Sequence, residues 1–466
     1  MGNPSKSASR RVVALCVALL AAAGPAVAAA DEPPRPRAVT LDEAIAYARA
    51  HQPLLDVARA RFAAVQAQAA VADAQWSPTV QAFGEVVGAS VNNSTSTVIN
   101  QPRVDLPRIG ATPVRNEPSL RPYASSMVAI GARQQLYDFG RIAAQRGAAE
   151  AAAEIERRRR DGAVLDVELA VTEAFLTVLA AHAIVDASRG ALDRATAHRD
   201  HAKAGVDRGM RPPIELTRAE ADLARFDVAR LRAEGSLAVA QSMLAAAVGA
   251  PDALLDASGS SPTAPALPPL AETLDQALSR DSSLLEAAAR IDAQRAETRA
   301  IGALSRPDLF VTGAVSARGG GAQPSSGQPT RGGGWAPLVP NWDIGLVLSI
   351  PLFDPAVRAR RDASRVTEEV RVAESRVLAQ RVAVAVRQAH LAGELADGAV
   401  VALTRAVDAA VANETQAATR FRAGLATAVE VADAESLRAD AEIQLAIGKF
   451  QVARSRALLA RAAGGR

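Results

Sequence analysis

Two patterns of hydrophobic and polar residues alternate along this chain. Long segments rich in Ala, Glu, Arg and Leu place apolar residues at helical spacing, as in "VLDVELAVTEAFLTVLAAHAIV". Proline is absent from four such segments, so nothing interrupts their helical hydrogen bonding. They predict helices over 139–205, 214–248, 358–421 and 427–462. At 1.5 Å per residue, the first and third would be about 100 Å long, which indicates coiled-coil hairpins rather than compact domains.

Four shorter segments follow the two-residue period of β-strands. "LFVTGAVSA" and "WDIGLVLSI" have the clearest apolar faces, and the predicted strands cover about 79–89, 125–135, 308–317 and 342–350. Each has about the ten residues that a tilted strand needs to cross a bilayer. The loop inside each pair is long and polar, as on the external face of a membrane barrel. Two hairpins cannot close a barrel alone, so several chains would have to share one.

The two halves of the chain repeat the same motifs in the same order. "TLDEAIAYARAHQPLL" is echoed by "TLDQALSRDSSLL", and "QLYDFGR" by "PLFDPAVR". In the second pair, Asp138 and Asp354 are predicted helix N-caps, with Pro355 in the first turn. The later segments "GMRPPIELTRAE" and "GLATAVEVADAE" share Gly, Glu, Ala and Glu at equal spacing. We therefore predict a first structural repeat over 31–249 with hairpin 139–248, a linker over 250–272, and a second repeat over 273–464 with hairpin 355–463.

The amino terminus indicates export. Residues 1–30 combine basic residues, an apolar run and small residues ending in "GPAVAAA", which predicts a cleaved secretory signal peptide. The only cysteine, Cys16, lies inside that run and follows Leu15, so lipid anchoring is not expected. The mature chain would then contain no cysteine, which excludes disulfides and a thiol nucleophile.

Composition and motifs give no support to an enzyme. Of the 466 residues, 49% are hydrophobic and 3% aromatic, with a formal net charge of +3. Trp335, Trp342 and Phe310 flank the predicted strands and suit an interfacial aromatic girdle. No Ser, His and carboxylate motif is present, and the glycine clusters lack the Lys and Ser/Thr of a phosphate loop. The run "ERRRRD" at 156–161 is interpreted as a solvated helix face, so nucleic acid is not an expected partner.

Two histidines form a candidate metal site. His198 and His201 lie one helical turn apart, a spacing that suits metal binding. A third ligand at a fitting spacing is missing, and the surrounding sequence predicts a charged, solvated face. We therefore predict no metal and no other cofactor.

The duplicated "LDEAI" opening, the strand pairs, the "LYDFG" and "LFDP" turns and the Gly-led helix starts resemble the TolC-like outer-membrane efflux family. The resemblance implies a mainly α fold with a transmembrane β-barrel portion, in which four strands per chain complete a trimeric twelve-strand barrel in outer-membrane lipid. It implies a periplasmic helical tunnel and no enzymatic activity. The implied function is an exit duct of a Gram-negative outer membrane, working with a periplasmic adaptor and an inner-membrane pump of the RND or ABC type.

The cargo and two other functions stay open at this stage. Small-molecule efflux is favoured over a type I protein secretion channel, because nothing inside the duct needs to recognise cargo. A soluble periplasmic coiled-coil adaptor or scaffold is the remaining alternative. It would not need apolar-faced strands with long polar loops.

The same resemblance implies a functional site at the hairpin tips. Gly209 and Gly424 would cap the hairpins where an adaptor docks, and Glu430 and Asp433 would line a pore constriction, with Glu215 near the same mouth. Three residues apart, Glu430 and Asp433 share one helical face and would form stacked carboxylate rings in a trimer. The alternative interpretation is that they stabilise the start of a helix in solvent.

One position departs from the family pattern. The family often has an arginine two residues after the glycine of the second turn, where this chain has Ala426. In the family, that arginine ties the closed state of the channel together. In this chain, Arg208, Arg211, Arg218 or Arg422 would have to replace it.

Overall fold

The fold is seen in a computed structural model, which describes residues 36–89, 123–259, 265–320 and 339–465. The predicted signal peptide, the centres of both predicted polar loops and Trp335 lie outside these residues. The elements in chain order are β1 Arg37–Val39, α1 Leu41–His51, α2 Pro53–Asp73, a 3₁₀ turn Ala74–Trp76, β2 Thr79–Ala89, β3 Tyr123–Tyr137, α3 Arg141–Asp207, α4 Pro213–Val248, β4 Leu255–Ala257, α5 Leu270–Arg280, α6 Ser282–Ala303, β5 Asp308–Gly320, β6 Val339–Ser349, α7 Pro355–Arg422 and α8 Ala428–Ala462.

Two long helix hairpins dominate the structure. Helices α3 and α7 contain 67 and 68 residues and pack against α4 and α8 respectively. Their buried positions are mostly alanine, which lets the helix axes approach closely. The predicted fold class, long tandem helix hairpins with four strands, is confirmed. Among the described residues, no helix has the length and apolar composition needed to cross a membrane.

The four predicted strands form one antiparallel sheet in the order β2-β3-β5-β6. Alternate residues of these strands lie on one strongly exposed face, because the side-chain period of a strand is two. That face carries Val80, Ile130, Val315, Trp342, Ile344, Leu346 and Leu348. The exposed face of the sheet is thus apolar, as the alternation of its sequence predicts.

Phe310 does not belong to that exposed face, contrary to the expected girdle. Its ring is buried on the opposite face, where the Arg133 guanidinium lies 3.5 Å from the ring centroid. Arg133 also donates to Asp308 at 3.4 Å. The neighbouring Gln135 donates to the same carboxylate. This side of the sheet is therefore polar, and Phe310 serves as a platform for a cation.

The two strand-to-helix turns are capped differently. Asp354 is the N-cap of α7, and its carboxylate accepts from the amides of Ala356 and Val357 at 2.9 and 3.1 Å. The same role predicted for Asp138 is wrong, because Gly140 is the N-cap of α3. The Asp138 carboxylate still accepts from backbone amides of that first turn. The two left-handed residues before α3, Phe139 and Gly140, place the acid further from the helix, but its carboxylate still binds amides of the first turn.

A small second sheet joins the start of the described chain to its middle. Strand β4 falls inside the predicted linker 250–272 and pairs in parallel with β1. Leu255 of β4 is buried in a core formed with α1, α2, α3 and α4, which includes Leu55, Val171 and Leu244. Segments of three residues are too short to show a period, so the sequence pattern did not reveal them.

Candidate functional site: the ends of the long hairpins

The first hairpin turns through a glycine-dependent helix end. Gly209 has φ +71°, and its amide donates to the Val206 carbonyl at 2.9 Å. The Met210 amide donates to the Gly205 carbonyl at 2.9 Å. This pair of bonds is a Schellman motif, whose left-handed residue favours glycine because a Cβ is unfavourable there.

The second hairpin repeats the motif. Gly424 has φ +76°, the Gly424 amide donates to the Phe421 carbonyl at 3.0 Å, and the Leu425 amide donates to the Arg420 carbonyl at 2.8 Å. The shared glycines of the two sequence segments thus have a common structural reason. They end α3 and α7 and leave Met210 and Leu425 strongly exposed at the turns.

We expect Gly424→Ala to destabilise the protein by about 1–2 kcal/mol, because a side chain costs that much in the left-handed conformation. Gly398→Ala is the matched control, since Gly398 lies inside α7 with open space around it. That control should be neutral or stabilise by up to about 1 kcal/mol. Thermal unfolding of the two purified variants measures the difference, and equal melting temperatures would contradict it.

Arg211 joins the two turns. Its guanidinium donates to the Glu215 carboxylate at 2.7 Å and to the Phe421 carbonyl at 2.7 Å. It also stacks 3.6 Å from the centroid of the Phe421 ring. A Cβ on Gly205 would lie 2.8 Å from Cδ of Arg211, so the glycine makes room for this side chain. Among the four arginines considered, the described contacts identify Arg211 as the one that links the hairpins.

His198 packs beside this contact and is buried, so the solvated position expected for it from the sequence is wrong. It is buried in α3, with its ring centroid 4.8 Å from that of Phe421. Burial lowers the pKa of His198, with Asp222 opposing and Arg211 adding to the effect. His201 instead directs Nδ1 to the carbonyl of Ala197 at 2.8 Å. The neutral His198 ring therefore belongs to the packing of the two hairpins.

The two predicted constriction acids are both exposed but have different local roles. Glu430 completes a capping box with Thr427 at the start of α8, and its carboxylate lies 3.9 Å from Arg420. Asp433 lies one turn later on the same exposed face, and the described residues give it no hydrogen bond or ion pair. Glu215, by contrast, is held by Arg211 on the first hairpin.

Glu435 is a further acid at this end of the molecule that sequence reasoning did not select. It is 4% exposed and lies between all four long helices. Its pKa is raised to about 7, mainly by burial and also by the Glu414 carboxylate, while Arg194 opposes both. Its place in the duplicated "GLATAVEVADAE" motif was a visible signal, but burial could not be read from that motif.

Comparison with known proteins adds the family. The family model described as outer membrane efflux protein matches residues 44–250 and 273–465, which is most of the chain. The chain belongs to the outer membrane efflux protein family. The resemblance inferred from the sequence is confirmed, and the outer membrane efflux protein family consists of channels. No curated protein sequence matches the chain.

Solved structures of outer membrane efflux proteins share the fold at low sequence identity. CusC, whose structures concern transmembrane channel formation, has 16% identity and a TM-score of 0.69 over 92% of both chains. The CmeC outer membrane channel of Campylobacter jejuni has 13% identity and a TM-score of 0.69, over 94% of this chain and 90% of CmeC. The MtrE outer membrane channel of Neisseria gonorrhoeae, solved in an open state, has 19% identity and a TM-score of 0.65, over 91% and 89%.

Proposed function

We propose that this protein is the outer-membrane exit duct of a tripartite efflux system that exports small molecules. The observation that carries the proposal is the combination of a sheet with an apolar outer face and two hairpins about 100 Å long. Three copies would supply enough strands to close a barrel, and their helices would continue it as a tunnel. The mature chain would lie in the outer membrane, with its helices in the periplasm.

The partners follow from the two ends of this arrangement. The exposed turns at Gly209 and Gly424 would dock a periplasmic adaptor, which connects the duct to an inner-membrane pump of the RND or ABC type. Met210 and Leu425 supply apolar surface for that contact. The duct itself would be a homotrimer without enzymatic activity.

The experiment is membrane fractionation followed by native mass spectrometry of the detergent-extracted protein. A species of three chains recovered from the outer membrane would support the shared barrel. A soluble monomer or dimer would overturn the proposal in favour of an adaptor or scaffold. A neighbouring gene for an ATP-driven protein exporter would favour protein secretion over small-molecule efflux.

Within the duct, Glu430 and Asp433 would form two rings of three carboxylates at the periplasmic entrance, with Glu215 close to the same mouth. Their shared exposed face on α8 supports this placement, because buried Val431 and Ala434 turn that face away from the rest of the chain. Closely spaced carboxylates attract cations and select against anions. The closed entrance would therefore be cation-selective and sensitive to divalent ions.

We expect Glu430→Gln combined with Asp433→Asn to weaken block by divalent cations at least about tenfold, since ring charges dominate cation binding in a narrow pore. Gln at position 430 preserves the capping box, so the helix start stays intact. Asp440→Asn, further along the exposed face of α8, is the matched control. Planar-bilayer conductance with added Mg²⁺ measures the effect, and block equal to that of the parent channel would exclude the two rings.

A further inference from the structure

The apolar surface of the sheet does not stop where the sheet stops. Beyond Ser349, the last residue of β6, the chain exposes Ile350, then 92% of Leu352 and 74% of Phe353 before α7 begins. Side chains this apolar are rarely left so open in water. Because they continue the outward face of the strand, they lie at the level where that face meets the helical part.

The other strand-to-helix turn exposes aromatic residues at the same level. Tyr137 ends β3 and pairs with Leu309, and its ring makes an edge-on contact with Phe139 at 4.7 Å between centroids. Phe139 is the one residue other than glycine with positive φ, at 52°, in the described part of the chain. A bulky residue in this conformation is strained, yet its ring stays 44% exposed.

An exposed arginine lies beside each aromatic turn, Arg306 between α6 and β5 and Arg358 in the first turn of α7. Arg306 donates to the Phe139 carbonyl at 3.1 Å, and the Arg358 guanidinium lies 5.8 Å from the centroid of the Phe353 ring. Within the described ranges, neither arginine has a carboxylate at ion-pair distance. The adjacent Asp354 directs its carboxylate to the amides that start α7. Both cations are thus free to meet an external anion.

We propose that these two turns and the two arginines beside them form a collar that binds anionic phospholipid headgroups. The collar consists of Leu352, Phe353, Tyr137, Phe139, Arg306 and Arg358. The inference rests on the proposed function, because it requires the apolar sheet face to lie in lipid. Aromatic rings favour the level between acyl chains and headgroups, and arginine pairs with phosphate oxygens. A net negative headgroup is the fitting partner, because neither arginine has an ion-pair partner among the described residues and the Asp354 carboxylate is bound to backbone amides.

The test uses the full chain purified from the outer membrane and incubated with phosphatidylglycerol or phosphatidylethanolamine of identical acyl chains. Native mass spectrometry then counts retained lipid. We expect about tenfold preference for phosphatidylglycerol, which Arg306→Gln with Arg358→Gln should abolish. Arg306→Lys with Arg358→Lys preserves charge and should keep most of the preference. Arg371→Gln is the matched surface control, since Arg371 lies further along α7 and pairs with Glu374.

Four outcomes would overturn the inference. Equal retention of both lipids by the parent protein, or an unchanged preference in the double Gln variant, would overturn it while the outer-membrane assignment stands. If Arg371→Gln also lost the preference for phosphatidylglycerol, the preference would reflect the overall charge of the protein, and the proposed collar would be overturned. Recovery of the parent protein only from the soluble fraction would overturn the duct and the collar together.

Discussion

Glu435→Gln is expected to stabilise the protein by about 3 kcal/mol per chain above pH 8, the largest effect of any single substitution considered. The pKa of this buried carboxyl is raised from 4.5 in the unfolded chain to about 7 in the fold. One pKa unit corresponds to about 1.4 kcal/mol. The protonated acid therefore contributes stability that is fully present below pH 4.5 and is lost as pH rises through about 7.

The cause lies in the groups that face Glu435 from each packed helix. Arg194 comes from α3, Asp222 and Arg225 from α4, and Glu414 from α7. Burial dominates, the two acids oppose ionisation, and the two arginines do not compensate because they are held elsewhere. Arg194 donates to Glu442, and Arg225 to Ser436. Glutamine keeps the shape and removes the ionisation.

Thermal unfolding of the purified protein between pH 4.5 and 8.5 measures this prediction. The parent protein should lose stability as pH rises from 4.5 through about 7, and Glu435→Gln should remove most of that slope. Asp440→Asn replaces an exposed acid on the same helix and should leave the slope unchanged. Parallel pH profiles for the parent and Glu435→Gln would show that the carboxyl is not protonated in the fold.

Arg211→Ala is expected to loosen the two hairpin ends from each other. The substitution removes an ion pair to Glu215, a bond to the Phe421 carbonyl and the stacking on the Phe421 ring. Hydrogen bonds to charged groups contribute about 1.5–3 kcal/mol each. Loss of one such contribution would raise local opening on the order of ten- to a hundredfold.

Amide hydrogen exchange over residues 205–212 and 420–428 reports this opening directly. Arg218→Ala is the matched control, because Arg218 is exposed on α4 and makes no ion pair among the described residues. Single-channel conductance should rise in Arg211→Ala and should not change in the control Arg218→Ala. Unchanged exchange at both turns would mean that Arg211 does not hold the hairpins together.

The helix boundaries were largely predictable because proline and glycine mark them. The helix predicted over 214–248 is found as Pro213–Val248, and that over 427–462 as Ala428–Ala462. Strand limits were less well predicted, since β3 runs from Tyr123 to Tyr137, beyond both ends of the predicted strand 125–135. The short strands β1 and β4 were not predicted, because their pairing depends on residues far apart in sequence.

The candidate site divides in the same way. Gly209 and Gly424 could be selected from the duplicated motif, since a local helix end needs glycine wherever the helix lies. The sequence could not show that Arg211, and not another nearby arginine, links the hairpins, because its partner Phe421 lies on the other hairpin. Whether His198 was solvated or buried likewise depended on Phe421.

The sequence by itself determined the types of element, their duplication, the apolar face of the sheet and the glycine-ended helices, because each depends on residues close together in the chain. Only the tertiary structure decided which charges are buried or paired across hairpins. Packing of α3 and α4 against α8 removes water from Glu435 and leaves Asp433 exposed, although the two residues are neighbours on one helix. Burial and electrostatic partners are properties of several helices together, and no local pattern encodes them.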